Sequence, residues 1–239
     1  MAFGIDKNKK GVKKQDIDAS SIKQFNRFLS IEAAKVVAKY TKITPNQITV
    51  FVLVMAFFIA YLFSTGEMYL VLIAGILTWF NFFLDSLDGS LCRVKGIKSY
   101  GFGRWLDHAT DEVGRVVVFF GITYGVYKNF GDPLVLFLGY FAITAYLIFT
   151  LHFTYFSMLP YSDRIVDKEK KGRGFLKNFY LNDPFVPGSI LVFGIFNGMY
   201  WWLILFALYG WFFTTVAFLI ITKKVYREAK KEAEKAKLK

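Results

Sequence analysis

The sequence predicts an all-α integral membrane protein, six transmembrane helices preceded by a cytoplasmic-surface amphipathic helix. Two observations carry that expectation. The chain is 55% hydrophobic and 20% aromatic yet has a formal net charge of +12, and the two kinds of residue keep apart. The 28 Phe fill long apolar segments, whereas the 30 Lys and Arg crowd the ends and connecting loops. A soluble domain lacks such unbroken apolar runs. Positive charge segregated in this way belongs beside cytoplasmic loops and anionic headgroups, and argues against a nucleic-acid partner. The lone Cys92 excludes an internal disulfide and a cysteine-rich metal site. The polar, basic residues through Lys14 lack the apolar core and cleavage site of a removable signal, so the N-terminus is expected to stay cytoplasmic.

Residues 1–19, Lys-rich with Gly4 and Gly11, are expected to form a disordered basic arm. Residues 20–42 change pattern: Ile22, Phe25, Phe28, Leu29, Ala33, Val36, Val37 and Tyr40 recur at helical spacing among Lys23, Arg27, Lys35 and Lys39. That describes an amphipathic helix, too polar to span, lying on the membrane surface. Thr44 caps the next helix, with Pro45 in its first turn. Spans are expected at Ile48–Ser64, Met68–Leu84, Trp105–Tyr127 and Pro133–Leu159, each near the ~20 residues that cross ~30 Å of hydrocarbon. Phe185 to Thr222 is too long for one helix and short for two. The loop at 160–177 and the tail after Lys223 are both strongly basic, so an even number of crossings should separate them. Two spans with a turn near Asn197-Gly198 or Gly210 satisfy that parity. The six-helix catalytic domain then covers 43–227, and 228–239 forms a charged cytoplasmic tail, a solvated helix extension.

Carboxylates beside an apolar span cost roughly 2.5–3.5 kcal/mol each at a helix centre and signal function by default. Asp85 and Asp88 lie at i and i+3 at the end of the second span, Asp107 and Asp111 at i and i+4 at the start of the third. Each pair shares a helix face, and the loop between them lets the faces meet at the cytoplasmic side. Four converging carboxylates repel unless cations lie among them. Oxygen-only ligands select hard ions, Mg²⁺ or Mn²⁺ with Ca²⁺ as a non-productive occupant, and two such ions about 3.5–4 Å apart suit phosphoryl chemistry. Gly89 would allow a phosphate close to the backbone, and Arg93 supplies a cation one turn on. The bland alternative makes the aspartates interfacial charges neutralised by Lys95, Lys98 and Arg104. Two matched helical spacings speak against it.

The segment Asp85-Ser-Leu-Asp88-Gly89-Ser-Leu-Cys92-Arg93, followed by Gly103-Arg-Trp-Leu-Asp107-His-Ala-Thr-Asp111, resembles the signature of the CDP-alcohol phosphotransferase (CDP-alcohol phosphatidyltransferase) family. That signature reads Asp-x2-Asp-Gly-x2-Ala-Arg, a spacer, then Gly-x3-Asp-x3-Asp. Thr44-Pro45-Asn46-Gln47-Ile48-Thr49 is similar to the segment preceding the family's first span. The resemblance implies transfer of a substituted phosphate from a CDP-linked lipid, or CDP-alcohol, to a small polar alcohol with release of CMP. It implies that Asp85, Asp88, Asp107 and Asp111 hold two divalent cations and that Asp111 is the general base. Asn46, Thr49, Gly89, Cys92, Arg93 and Gly103 would line the nucleotide and diphosphate pocket. It further implies a homodimer in the cell membrane. Three positions depart. Cys92 replaces alanine as a packing residue, the spacer before Gly103 is longer than usual, and Glu112 stands where a basic residue often follows, with Arg115 one turn later.

The remaining polar residues carry less. His108 resembles a histidine of the choline and ethanolamine branch, or faces away from the metals. His152 is expected to be a satisfied core residue. Arg164 to Lys177, and Lys223, Lys224 and Arg227, suit topology and lipid headgroups; Arg164, Lys223 and Arg227 are the candidates for closing over a phosphorylated acceptor. A divalent-cation transporter is the competing function. Its site would lie on broken helices at mid-membrane, whereas these aspartates lie at helix ends.

Overall fold

The computed structural model describes residues 21–97, 101–157 and 185–237, and among them every regular element is an α-helix. These are α1 (Ser21–Tyr40), α2 (Pro45–Ser64), α3 (Met68–Val94), α4 (Phe102–Phe130), α5 (Pro133–Ser157), α6 (Phe185–Ile195) and α7 (Met199–Lys237). The expected basic arm, and the loop holding Arg164, lie outside the described residues. Four helices are long and apolar enough to cross a membrane: Pro45–Ser64, Met68–Val94, Pro133–Phe156 and Met199–Lys230. The 29-residue α4 has the length but carries charge in its first turns. The apolar α6 has 11 residues, about 16 Å of helix.

Local chemistry sets the boundaries. Thr44 and Gln47 form a reciprocal capping box: Thr44 Oγ1 accepts the Gln47 amide at 3.4 Å, and Gln47 Oε1 accepts the Thr44 amide at 2.9 Å. Pro45 follows in the first turn, where its missing N–H costs nothing. The helix α3 continues ten residues beyond the expected Leu84, through both aspartates to Val94. Nothing in that stretch breaks a helix, since one internal glycine costs only about 1 kcal/mol. The chain turns at Asn197, with φ 51°, so the α6–α7 break falls at Asn197-Gly198. Gly210 instead lies buried inside α7.

The most extensive packing joins α2 to α4, with α3 on α2, α5 on α7, and both α1 and α6 on α3. Two glycines explain the α2–α4 contact. A Cβ at Gly121 would lie 2.3 Å from the Ala60 carbonyl oxygen, and one at Gly125 would lie 2.0 Å from that of Phe63. Bare backbone on α4 thus touches backbone on α2, the close approach that small residues permit between membrane helices. Beside this contact Phe119 packs its ring on Tyr146, Trp202 and Phe206, tying α4 to α5 and α7. Outward, α2 exposes Val50, Phe51, Val54, Phe57, Phe58 and Tyr61 at helical spacing, an apolar face suited to lipid.

The orientation of α1 is the reverse of a soluble helix. It exposes Ile22, Phe25, Phe28, Leu29, Val36 and Tyr40, and buries Asn26, Ser30 and Ala34. Of the remaining apolar residues, Ala33 and Val37 pack with Ala34 on a small cluster of Ile48, Val52, Leu87 and Leu91.

Candidate functional site

One end of the bundle collects polar side chains from four elements: α1, the start of α2, the end of α3 and the start of α4. The last turns of α3 are fixed on three sides. Thr49 of α2, 5% exposed, donates its hydroxyl to Asp88 Oδ2 at 2.7 Å. Lys95 Nζ reaches the Ile43 carbonyl between α1 and α2 at 2.6 Å. Asn26 of α1 donates its amide to Ser86 Oγ at 2.7 Å. The carboxylate-bearing helix end is therefore held by hydrogen bonds to two other helices and their linker.

On this frame Asp85, Asp88 and Asp107 each offer a carboxylate oxygen, all within 4.8 Å of one another. Three oxygens on one octahedral Mg²⁺ at about 2.1 Å must include cis pairs about 3.0 Å apart, so the three carboxylates would draw closer together to share one ion. The donor set, wholly oxygen, suits a hard cation. Asp88 is 6% exposed, and a charge so shielded from water needs a cation or strong donors around it. The residues present fit a divalent-metal centre.

Asp111, the fourth carboxylate, points along its own helix. Arg115 Nη2 donates to its Oδ2 at 3.1 Å, and the same guanidinium lies 3.6 Å from Glu112 and bonds the Tyr146 hydroxyl. Asp85 and Asp111 share the wall of a cavity of about 80 Å³, room for several water-sized groups. Thr78, Asn81, Gly114 and Arg115 also line it, and Val186, Pro187 and Ile190 of α6 close its apolar side. Asn81 Oδ1 is buried there with no hydrogen-bond partner among the described residues.

The other expected site residues fall as follows. Gly89 lies beside Arg93: a Cβ there would meet only Arg93 Nη1, at 3.8 Å. Arg93 Nη2 donates to Ser90 Oγ at 2.9 Å, and Cys92 is a free, half-buried thiol. Gly103 is half-buried in the first turn of α4, and Asn46 is exposed in the first turn of α2. Lys223 and Arg227 are exposed on α7, and Arg164 lies outside the described residues. His108 is exposed. His152 departs from expectation: its ring packs on Phe218, but its buried Nε2 has no hydrogen-bond partner among the described residues. An apolar stretch of α7 faces it, and Phe218 offers no acceptor or donor.

Sequence reasoning missed Asn81, Thr78, Tyr146 and the serines facing α1. Asn81 had a signal, since it is a lone amide one turn before Asp85 and therefore on the same face. Tyr146, one of 14 tyrosines in an aromatic-rich chain, had none.

Comparison with known proteins bears on the same segment. Over 85 residues the chain is 39% identical to the archaetidylinositol phosphate synthase of Pyrococcus horikoshii. That alignment covers 35% of this chain and 42% of the relative's length. The family model described as CDP-alcohol phosphatidyltransferase matches residues 42–174, more than half of the chain, including all four aspartates and the capping box before α2. The chain is an integral membrane protein and belongs to the CDP-alcohol phosphatidyltransferase family.

Proposed function

We propose that this chain transfers a substituted phosphate group from a CDP-linked lipid to an alcohol acceptor and releases CMP, in the synthesis of a membrane phospholipid. The observation that carries the reading is the convergence of Asp85, Asp88 and Asp107 from two helices at one end of an apolar bundle. Bound among the aspartates, two Mg²⁺ or Mn²⁺ ions would neutralise the diphosphate and the departing CMP. Asp85, Asp88 and Asp107 hold that charge in place, with Asp111 closing the set from the next turn of α4. Asp111 accepts the proton of the acceptor hydroxyl, the hydroxyl oxygen attacks the β-phosphorus, and the bond from that phosphorus to CMP breaks. Arg93, beside the bare backbone of Gly89, faces the diphosphate. Asn46, Thr49, Cys92 and Gly103 complete the nucleotide side.

The relative's name places an inositol phosphate first among acceptors to try. Arg164, Lys223 and Arg227 are the cations assigned to such a phosphorylated acceptor. In the membrane, α4 and α6 would complete six spans. The outward apolar face of α1 would rest on the cytoplasmic surface, and both termini and the carboxylate end would lie on that side. A homodimer is the assembly we expect.

The test is CMP release by the purified chain, with Mg²⁺ or Mn²⁺, CDP-linked lipids, and inositol phosphate, glycerol phosphate and serine as acceptors. Metal-dependent release with one acceptor is expected. No release from any donor, with divalent-ion flux in liposomes instead, would favour a transporter. Asp111→Asn should abolish transfer while leaving CDP binding largely intact; normal turnover by that variant would remove Asp111 as the base.

A further inference from the structure

The aspartates occupy the side of α3 that meets α4. A second polar seam lies on the other side, against α1. Asn26 Nδ2 donates to Ser86 Oγ at 2.7 Å, and one turn on along both helices Ser30 Oγ and Ser90 Oγ lie 2.9 Å apart. Both pairs are separated by 60 residues, so α1 and the end of α3 run in the same direction and in register. Ser30 and Ser90 are 0% exposed and Asn26 is 4% exposed. A buried hydroxyl is costly unless satisfied, so the proton accounting of this seam is informative.

Each serine has one hydroxyl proton and two lone pairs. Ser90 Oγ lies 2.9 Å from the Ser86 carbonyl, one of two acceptors within reach of its proton. Ser30 Oγ also reaches the Arg27 carbonyl at 3.0 Å, so either serine can donate across the 2.9 Å between them, while a lone pair of Ser90 Oγ accepts Arg93 Nη2 at 2.9 Å. In either arrangement the bond to Ser30 helps to fix the Ser90 hydroxyl that accepts Arg93. The consequence reaches Arg93. Its backbone position is exposed, and a free arginine there would sample many rotamers. Tethered to Ser90, its guanidinium instead stays next to Gly89, the bare strip of α3.

We propose that α1 is a positioning element for the donor site: Ser30, through Ser90, holds the Arg93 guanidinium beside Gly89 in the pose that meets a diphosphate. This rests on the functional reading above, in which Arg93 faces the CDP diphosphate. Ser30 touches no reacting atom. Its effect should appear in donor binding rather than in the chemical step. It also gives α1 a role beyond anchoring, because its outward face carries Phe25 and Phe28 while its inward face sets an arginine.

The experiment is a double-mutant cycle on the full chain in nanodiscs, read by calorimetric binding of CDP with Mg²⁺ and by steady-state kinetics with a CDP-linked lipid. Ser30→Ala should weaken CDP binding and raise donor KM three- to ten-fold, with kcat and acceptor KM changed less than two-fold. Ser30→Thr, which keeps the hydroxyl, should restore most of the loss. In an Arg93→Ala background, Ser30→Ala should cost nothing further, because the group it positions is gone. A Ser30→Ala loss that persists undiminished without Arg93 would overturn the proposal, since general loosening of the α1–α3 contact behaves in that way. Unchanged CDP affinity in Ser30→Ala would overturn it too. If the wild-type chain binds no CDP with Mg²⁺, the functional reading itself fails and the proposal falls with it; CDP binding by the wild type confines any failure to the seam.

Discussion

The helices α2 and α4 pack along their length, but their two ends are built on opposite rules. At the end near Gly66, backbone meets backbone: Gly121 and Gly125 leave no room for a Cβ against Ala60 and Phe63. Lys128 and Asn129 then bond the Thr65 and Gly66 carbonyls at 3.0 and 2.8 Å. At the carboxylate end the same helices border a cavity lined by Val52, Ala56, Asp111 and Arg115, and Thr49 turns its hydroxyl to Asp88. Beside the glycine contact a second cavity of about 250 Å³ opens, lined by Phe63, Gly125, Asn129, Asn197 and Tyr200, so the two ends differ in chemistry rather than in space. The carboxylate end gathers acidic side chains beside its cavity, which costs stability and makes a place for cations and substrate.

The largest expected effects break this comparison from either side. Gly125→Leu should abolish the folded protein, because its side chain would have to displace the Phe63 carbonyl, a rigid part of α2. Overpacking typically costs about 1–3 kcal/mol even where side chains can shift. Size-exclusion profiles and thermal unfolding in detergent would read the loss, and a monodisperse, stable variant would refute the close-contact account. Asp107→Asn should act in the opposite way. CMP release should fall on the order of 10²–10³-fold, while the unfolding temperature without metal holds or rises as like-charge repulsion is relieved. Mg²⁺ should raise the unfolding temperature of the wild type and not of this variant. A variant that loses fold and activity together would mean that Asp107 belongs to the framework.

A smaller effect tests whether the two ends are joined through α2. Thr49 sits on α2 but orients a carboxylate of α3. Thr49→Val keeps the shape and removes the donor, so half-maximal activity should require about ten-fold more Mg²⁺, the usual scale for a group that orients a metal ligand. Titration at saturating CDP-lipid measures it, and restoration of full rate at high Mg²⁺ separates a weakened site from a damaged one.

Much of the fold was legible because membrane helices announce themselves by length and apolarity. The Thr44 cap and the Met68 start of α3 stand where sequence places them, and the last break falls at Asn197-Gly198, one of the two turns that the sequence offers. What escaped was continuation. A drop in hydropathy at Asp85 reads as the end of a span, yet the helix runs to Val94, because hydropathy reports the medium and hydrogen bonding sets the helix. Spacing paired Asp85 with Asp88 and Asp107 with Asp111 and let the two faces meet; of the four, Asp85, Asp88 and Asp107 lie together. Asp111 was placed on the right face, but its bond to Arg115, one turn along the same helix, decides where its carboxylate points. On α1 the apolar spacing identified the outward face. It was silent on Asn26 and Ser30, since small neutral side chains advertise no partner and find theirs only once α3 is beside them.

The smallest expected effect concerns α5 and α7, which pack together away from the carboxylates. Trp211 Nε1 donates to the Phe141 carbonyl at 2.9 Å, and its ring stacks on that of Phe141 at 4.9 Å between centroids. Trp211→Phe keeps an aromatic ring and deletes the donor. The Phe141 carbonyl still accepts the Thr144 hydroxyl at 3.0 Å, so no buried acceptor is orphaned. The cost should therefore be that of one neutral hydrogen bond, about 1 kcal/mol, or roughly 2–4 °C in unfolding temperature for a chain of this size. Activity per folded molecule should not change, because nothing in the α5–α7 seam at this level touches the cavity. A variant that unfolds as expected but loses turnover several-fold would show that this part of the α5–α7 seam reports to the carboxylate end. The division between a glycine-packed framework end and a carboxylate end would then have to be redrawn to include it.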